Sequence, residues 1–416
     1  MGDDVMGIHC NQPDCTRFGH AENCTDIEPR SRVSAARIFT VLLFLISSTT
    51  LSIAETVRVA TFNVSLGRRG PGVLLKAIMS GKDEQVLAVA AIIRRVRPDI
   101  LLLNEFDADF TNLALDAFRN ELDGGENAIS YPYFYAPIGN EGVPSRLDLD
   151  GDGAPDEWAD AFGFGRFPGS EGMALLSRFP IDLQAARSFS SLKWRNIPDA
   201  VLPMNTDGSP FLPEKSTTVF RLSSKSHWDV PVVLPNGQRI NILATHPTPP
   251  VFDGVENLNG LRNDAEIGFW VSYLDGAAFI DDVGRQAAFS GKDFVLLGDL
   301  NNDPNDGEGS KRSIHTLVTH PLVNDPMQAS SGAVVASVRY GGANATHAGN
   351  PAQDTVEWDA DIGNMRVDYA LPSASLTLEG SGVFWPAPDE PDGDMIAEGR
   401  SGASNHRMVW VDVEID

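Results

Sequence analysis

One segment of this sequence ends an apolar run with two side chains that could carry out hydrolysis. The apolar residues 294–297 lead into Gly298, and Asp299 and Asn301 follow directly. An apolar run that stops at a glycine predicts a buried strand and a tight turn. A carboxylate at that point can accept a proton from water, and an amide two residues on can orient the water or a phosphate oxygen. The pattern predicts a hydrolytic site at the tip of a strand.

Five further segments show the same pattern. Each is a predicted strand with a polar side chain at its end or edge. The runs are 57–64, 98–105, 240–246, 366–371 and the stretch just before 408–415, and the polar residues are Asn63, Glu105, His246, Asp368, Asn405 and His406. If these strands share one sheet edge, their side chains form a composite site. Carboxylates, amides and imidazoles of this kind suit Mg²⁺ or a similar ion beside a phosphate.

Taken singly, several of these side chains have a structural alternative. Asp299 could cap its own turn, His246 could simply end a strand before Pro247, and Asn63 could form a turn. Asp368 is different because a carboxylate inside an apolar strand needs a partner. The functional interpretation depends on all six segments occurring together.

In order and spacing, the six segments resemble the endonuclease/exonuclease/phosphatase superfamily, the DNase I-like metal-dependent phosphoesterases, from Val57 to the C terminus. The resemblance implies an α/β fold, a DNase I-like four-layer sandwich of two packed mixed β-sheets flanked by helices. It also implies hydrolysis of a phosphate ester with Mg²⁺ or Mn²⁺ at the active site. We expect one such domain over 55–416, with insertions at 108–170 and 187–232.

The resemblance makes Glu105 the main metal ligand, with Asn63 and Asn405 beside it. Asn405 departs from the pattern, because the family usually has Asp before this His, and Asn104 stands where Gln is commoner. The lost negative charge implies weaker metal binding or a single-ion mode.

The same resemblance assigns the remaining roles. Asp299 would orient or deprotonate the attacking water, and Asn301 would bind the phosphoryl group. Asp368 would fix the tautomer of His406, as a carboxylate does behind a catalytic imidazole. His246 would be a second proton donor or a clamp for the transition state.

Two other features predict contacts with charged ligands. Alternating acids followed by glycine in 148–157 indicate a structural Ca²⁺ loop without flanking EF-hand helices, and an unliganded acidic turn is the alternative. Arg262, predicted on a loop beyond the strand that ends at His246, suits bidentate phosphate contact, and a surface salt bridge is its alternative. The Ca²⁺ ligands would be Asp148, Asp150, Asp152 and Asp156.

The N-terminal sequence predicts export. Arginines precede the apolar run 38–46, and small residues continue to Ala54, which is the pattern of a signal peptide over 33–54. The run is too short to predict a stable membrane span. We therefore expect cleavage after Ala54 and a secreted or periplasmic protein. Residues 1–32 would be a spurious or disordered extension with Val33 as an alternative initiator, and a cytoplasmic stub or a small zinc site on its three cysteines is disfavoured.

The charge balance bears on the substrate. The chain has 57 Asp and Glu against 32 Lys and Arg, a net charge of −25. Proteins that bind nucleic acid normally offer basic side chains to the phosphates, so nucleic acid is disfavoured, although Arg68, Arg69 and three arginines in 94–97 could form a local patch. We predict an exported phosphoesterase acting on a phosphorylated small molecule or a phosphodiester. The alternatives are an extracellular nuclease and a catalytically weakened binding protein.

Overall fold

Two β-sheets, each built around one parallel pair of strands, form the centre of the protein. The computed structural model describes residues 55–149, 153–155, 157–396 and 402–415, all within one compact unit. The apolar runs 100–103 and 294–297 are buried along their whole length, as expected for strands covered on both sides. The strands of the described residues are β1 (Glu55–Leu66), β2 (Ile100–Phe106), β3 (Tyr133–Tyr135), β4 (Gly172–Ser177), β5 (Arg187–Ser188), β6 (His227–Val233), β7 (Arg239–Thr245), β8 (Phe279–Ile280), β9 (Gln286–Ala287), β10 (Phe294–Asp299), β11 (Asp368–Pro372), β12 (Leu378–Val383) and β13 (Val409–Ile415).

The first sheet has the order β12-β13-β1-β2-β4-β3, and the second has the order β11-β10-β7-β6-β5. In the first sheet β1 and β2 are parallel, and in the second β7 and β10 are parallel. All other neighbours in the two sheets are antiparallel. Both sheets are therefore mixed, as predicted.

Helices cover the outer face of each sheet, because successive side chains of a strand point to opposite faces. Val59 and Ile242 lie in the core between the sheets, Phe62 packs outward with the first helices, and Leu243 packs outward with α5. The four-layer sandwich is confirmed. The helices of the described residues are α1 (Val73–Ser80), α2 (Glu84–Val96), α3 (Leu113–Leu122), α4 (Glu214–Val219), α5 (Leu258–Leu274), α6 (Lys311–Val318) and α7 (Ser331–Tyr340).

Helix α2 forms the crossover between the parallel strands β1 and β2. The Asp83 side chain caps it by accepting a hydrogen bond of 3.0 Å from the Val86 amide, which satisfies a free donor of the first turn. Its last turn carries Arg94 and Arg95, where positive charge complements the helix dipole. The crossover places these two arginines near the start of β2, at the sheet edge opposite Glu105.

One segment differs from the sequence interpretation. Residues 187–232 were expected to be an insertion, yet His227–Val233 forms β6, which pairs with β7 along its length. His227 and Asp229 interrupt the apolar run and hide the strand from its pattern. Among the described residues, no helix is long and apolar enough to cross a membrane.

Candidate active site

The ends of the central strands bring the predicted site residues to one edge of the sandwich. Parallel strands end at the same sheet edge, so β1 and β2 deliver Asn63 and Glu105 from one sheet. From the other sheet, β10 ends in Asp299 and His246 follows β7. The antiparallel strand β11 begins at Asp368, opposite Asp299 in register. The site therefore lies across the seam between the two sheets.

Asn63 joins the two sheets at this seam. Its Nδ2 donates to Glu105 Oε1 at 2.9 Å and to Asp299 Oδ2 at 2.9 Å, and the residue is fully buried. Its Oδ1 accepts a hydrogen bond of 3.1 Å from the Ser65 amide. In this arrangement its oxygen bonds the backbone and its amine faces the carboxylates of Glu105 and Asp299. The metal-ligand role of Asn63 stays a prediction.

Asp299 both caps its own turn and faces the site. Its Oδ1 accepts a hydrogen bond of 2.9 Å from the Asn301 amide, and its Oδ2 lies 3.4 Å from His246 Nε2. Asn301 has a left-handed φ of 52°, and its side chain donates to Pro247 O at 3.1 Å. Only glycine fits before the turn, because a Cβ on Gly298 would lie 2.1 Å from the carbonyl oxygen of Thr245.

Asp368 and His406 form a buried pair beside Asp299. His406 Nδ1 lies 2.9 Å from Asp368 Oδ2 and 3.9 Å from Asp299 Oδ2. Thr355 Oγ1 donates to the same Asp368 oxygen at 2.8 Å. The contact fixes the orientation of the imidazole and leaves Nε2 as the nitrogen free to face a substrate. The structure thus brings these residues together, and it adds Thr355, which the sequence pattern did not reveal.

The charges of this cluster depend on one another. Burial opposes the cationic form of His406, but the carboxylates of Asp368 and Asp299 outweigh it and raise its pKa above the ordinary value. Burial likewise opposes the ionised form of Asp299, but the imidazoles of His406 and His246 and the Asn63 amide hold its pKa below the usual range. The cluster therefore holds a cationic imidazole between two carboxyl groups at neutral pH.

The residues present fit a divalent metal ion. Ligand atoms of Glu105, His246 and Asp299 lie within 4.8 Å of one another. The buried His246 Nδ1 and Asp368 Oδ1 have no hydrogen-bond partner. The carboxylate oxygens of Glu105 and Asp299 are the kind of ligand that hard divalent cations prefer.

A cleft of about 810 Å³ opens over the cluster. Glu105, Asn301, Asn405 and His406 line its floor, and Asn405 is half-buried there. Five of the lining residues are acidic, and among the described residues that line it none is Lys or Arg. The apolar part of the wall includes Phe252, whose side chain is 94% exposed. The acidic lining residues are Glu105, Asp303, Asp306, Glu308 and Asp361.

The prediction for Arg262 was wrong. The residue lies in α5, not on a loop, and it is only 6% exposed. Its guanidinium donates to the carbonyl oxygens of Leu222 at 2.8 Å and Arg221 at 3.2 Å, and also to that of Phe162. Because backbone carbonyls in the interior occupy these donors, the guanidinium holds neighbouring backbone segments and does not face the cleft.

Three of the four predicted Ca²⁺ ligands lie outside the described residues. Asp150, Asp152 and Asp156 are not described, and Asp148 Oδ2 accepts a hydrogen bond of 3.0 Å from the Gly153 amide. An acceptor at this position is compatible with a turn around an ion and with an unliganded turn. The Ca²⁺ site therefore stays a prediction.

The sequence model of the Endonuclease/Exonuclease/phosphatase family matches residues 60–406, which include the predicted site residues of all six motifs. The chain belongs to this family. The match begins within β1 and ends at His406, so it includes the whole cluster and every strand of the two sheets except the start of β1 and the last strand, β13. Among curated proteins, none matches the chain significantly in sequence.

Several solved structures are similar to most of this chain. An endonuclease/exonuclease/phosphatase from Beutenbergia cavernae DSM 12333 is 17% identical over 87% of this chain and 72% of its own, with a TM-score of 0.46. Sphingomyelinase C from Streptomyces griseocarneus is 14% identical over 86% of this chain and 99% of its own, with a TM-score of 0.43. The human Nocturnin catalytic domain is 12% identical over 87% of this chain and 96% of its own, with a TM-score of 0.40. Likeness at this level concerns the fold and does not select a substrate.

Proposed function

We propose that this protein is an exported, metal-dependent phosphoesterase that hydrolyses small phosphate monoesters or diesters. The observation that supports it most is the acidic cleft above the Asp299, Asp368 and His406 cluster. The cluster supplies the groups for attack by water on phosphorus. The cleft favours a compact substrate over an extended polyanion.

The chain's own residues can carry the proton transfers. Asp299 Oδ2 is anionic and lies in the site. It can therefore accept a hydrogen bond from the attacking water and orient that water. His406, held by Asp368, presents a cationic imidazole that can stabilise negative charge on the phosphoryl oxygens. His246, 3.4 Å from Asp299, is placed to donate a proton to the leaving oxygen or to hold the phosphoryl group.

Glu105 and Asn405, which both line the cleft, would hold the divalent ion, with Asp299 and His246 near it. Bound there, Mg²⁺ or Mn²⁺ would supply positive charge to the phosphoryl oxygens. Asn63 keeps the Glu105 carboxylate in place through its hydrogen bond of 2.9 Å. Asn301, also on the floor of the cleft, would bind the phosphoryl group.

The cleft argues against a nucleic acid substrate. A protein that tracks a nucleic acid backbone offers Lys and Arg to many phosphates, whereas five acids line this cleft. The arginines of the patch expected from the sequence are largely engaged elsewhere. Arg94 pairs with Glu121 and Arg95 with Asp392. Extracellular nuclease activity is thus the second candidate, favoured only by the family to which the chain belongs.

Export is part of the proposal and rests on the N-terminal sequence alone. The basic residues, the apolar run 38–46 and the small residues up to Ala54 lie outside the described residues. N-terminal sequencing of protein secreted by an expression host would test it. A mature chain that starts at Glu55 is expected, and retention of residues 1–54 in the cell fraction would contradict it.

The activity is tested with purified protein on p-nitrophenyl phosphate, bis-p-nitrophenyl phosphate and plasmid DNA. Each substrate is assayed with EDTA, Mg²⁺, Mn²⁺ or Ca²⁺. We expect metal-dependent hydrolysis of the small esters and intact plasmid. Asp299→Asn should lower kcat by at least about a hundredfold, the usual contribution of a general base.

The matched control is Asp116→Asn, the same change at a surface residue that pairs with Arg119 on α3. It should retain full activity. Plasmid nicking faster than ester hydrolysis would favour the nuclease. Hydrolysis that persists in Asp299→Asn would exclude the site described above. No activity on any substrate would favour a binding protein in which Asn405 has weakened catalysis.

A further inference from the structure

Apolar side chains from two loops line the cleft over the site, and the reaction described above does not use them. The run Pro-Pro-Val-Phe at 249–252 comes three residues after His246, and Trp358, Ile362 and Met365 come before β11, which begins at Asp368. Both loops are therefore attached to residues of the site. The cleft combines a polar floor, where the phosphoryl group would bind, with an apolar wall.

Phe252 presents an aromatic ring to solvent at the first of these loops. Its side chain is 94% exposed, and its φ of 64° lies in the left-handed region, which a bulky side chain rarely adopts. Hydrogen bonds on both sides hold this conformation. The Asp253 carboxylate accepts from the amides of Asn259 and Gly260 at 2.6 and 2.8 Å, and Asn259 Nδ2 donates to Val251 O at 2.8 Å. A strained backbone that holds an exposed ring beside a site is typical of a ligand contact.

Trp358 brings a second aromatic ring close to the reacting groups. Its ring centroid lies 6.4 Å from that of His406, and the two ring planes are at 89°. The indole packs against a small apolar cluster that includes Val356 and Met365, so its position is fixed. An organic group attached to a phosphoryl group at His406 is therefore within reach of this ring.

The acids of the same cleft do not form a site for a cationic organic group. Both carboxylate oxygens of Asp303 accept hydrogen bonds from backbone amides, at 2.7 and 2.8 Å. Both oxygens of Asp306 do the same, at 2.7 and 2.9 Å. These two acids hold the backbone of the loops around the cleft. The apolar side chains are left to contact the organic part of a substrate.

We infer that the cleft selects phosphate esters whose organic group is apolar, and that Phe252 and Trp358 are the residues that bind this group. Contact with the two rings removes apolar surface from water, which favours binding in proportion to the area covered. The phosphoryl group would stay on the floor of the cleft beside His406 and Asn301. A cleft of about 810 Å³ has room for an ester of this kind. The inference rests on the proposed function and names its substrate class.

Phosphonates test this selectivity, because each carries a single organic group on a bond that is not hydrolysed. The Kd values of methyl-, butyl-, phenyl- and hydroxypropylphosphonate are measured on the full chain by isothermal titration calorimetry at saturating Mg²⁺. The butyl and phenyl compounds should bind roughly tenfold more tightly than the methyl compound. Hydroxypropylphosphonate, which is as long as the butyl compound but ends in a hydroxyl group, should gain little. The larger of the two gains identifies an alkyl or an aryl group as the preferred one.

Variants at Phe252 assign the gain to the apolar wall. Phe252→Ala should weaken the binding of butylphosphonate by about threefold or more and leave that of methylphosphonate unchanged. Phe252→Leu keeps an apolar side chain and should retain most of the gain. The matched control is Phe110→Ala, the same change at a ring that is 80% exposed and does not line the cleft. Because the Phe252 side chain is almost fully exposed, its removal should leave the fold intact.

The outcomes separate the inference from the proposed function. The heat-capacity change on binding should be more negative for butylphosphonate than for methylphosphonate, as burial of apolar surface requires. Equal Kd values for these two compounds, or a gain that Phe252→Ala retains in full, would overturn the inference, while hydrolysis of the small esters would still support the function. A gain that depends on Phe252 in a protein without hydrolytic activity would support the apolar subsite and overturn the phosphoesterase. If no phosphonate binds and no ester is hydrolysed, both are overturned.

Discussion

At the scale of single residues, the site depends on side chains whose charges are set by their neighbours. Asp368 contributes by holding His406, since one of its oxygens accepts from both Thr355 and the imidazole. Its other oxygen is buried without a partner. A residue with this environment acts through the histidine and not directly on the substrate.

Asp368→Asn should lower kcat by about a hundredfold to ten-thousandfold with little change in KM, because the amide can bind the wrong tautomer of the imidazole. Steady-state kinetics on p-nitrophenyl phosphate measure this effect. Asp116→Asn is again the matched control. A variant with wild-type kcat would show that the His406 orientation does not matter for the rate.

Arg262 permits a test of its structural role. Arg262→Lys cannot reach all the carbonyl oxygens that the guanidinium satisfies, so it should lower the free energy of unfolding by on the order of 3 kcal/mol. KM should not change, because the side chain does not face the cleft. Urea denaturation and kinetics of the same preparation separate the two effects. A raised KM with an unchanged free energy of unfolding would instead support the predicted contact between Arg262 and a phosphate.

At the scale of elements, β6 carries a buried histidine that links stability to pH. His227 packs on Phe269 of α5, and its Nε2 lies 2.8 Å from the Glu266 carbonyl oxygen. Burial lowers the pKa of His227 to about 4, although the nearby Glu266 carboxylate opposes the shift. The folded protein therefore keeps this imidazole neutral, whereas the unfolded chain protonates it near pH 6.5.

A depressed histidine pKa stabilises the fold above the unfolded value and loses that contribution as pH falls towards the folded value. Between about pH 6.5 and about pH 4, the free energy of unfolding should fall by on the order of 3 kcal/mol through His227 alone. His227→Gln should remove most of this dependence in urea denaturation. The control His315→Gln, at an exposed position of α6, should keep the wild-type dependence. A slope unchanged in His227→Gln would contradict the assignment.

The elements also show what the sequence can and cannot predict. The strand ends at Asn63, Glu105 and Asp299 could be predicted because an apolar run followed by a polar residue is a local pattern. Helix α5 was missed because its N-cap, Asn257, has a left-handed φ of 53° and makes no side-chain cap. Most of its faces are buried, so no amphipathic pattern marks it.

The buried polar residues that escaped prediction depend on contacts between distant segments. Lys225 meets Glu141 only because the segment between β2 and β4 folds over the start of β6. The polar run Ser-Ser-Lys-Ser-His at 223–227, placed before an apolar strand, was the available signal. Thr355 lies in an irregular stretch, and no local pattern points from it to Asp368.

At the scale of the whole molecule, the negative charge of the chain extends into the cleft. The net charge is −25, and five acids line the cleft over the site. An anionic ester must approach against this field, so its association is slowed by repulsion. Salt screens exposed charges and should weaken the repulsion.

We therefore expect kcat/KM for anionic esters to increase with ionic strength. Between about 0.02 M and about 0.5 M NaCl, at saturating metal ion, the increase should be roughly twofold to fivefold. The dianionic p-nitrophenyl phosphate should respond more strongly than the monoanionic bis-p-nitrophenyl phosphate, which serves as the internal control. A rate that declines with salt would instead indicate the basic surface of a nucleic-acid enzyme.

The position of the site across the seam has a consequence for how activity can change in evolution. Asn63 belongs to one sheet and Asp299 to the other. The apolar core between the two sheets sets the distance between them. A change of side-chain volume at Val59 or Ile242, remote from any substrate, would shift one sheet relative to the other. The distances between the catalytic side chains would then change. Substitutions that tune turnover should therefore accumulate in the interior as well as around the cleft. A selection for variants with higher turnover should yield substitutions at such core positions, with no change in any residue that contacts the substrate.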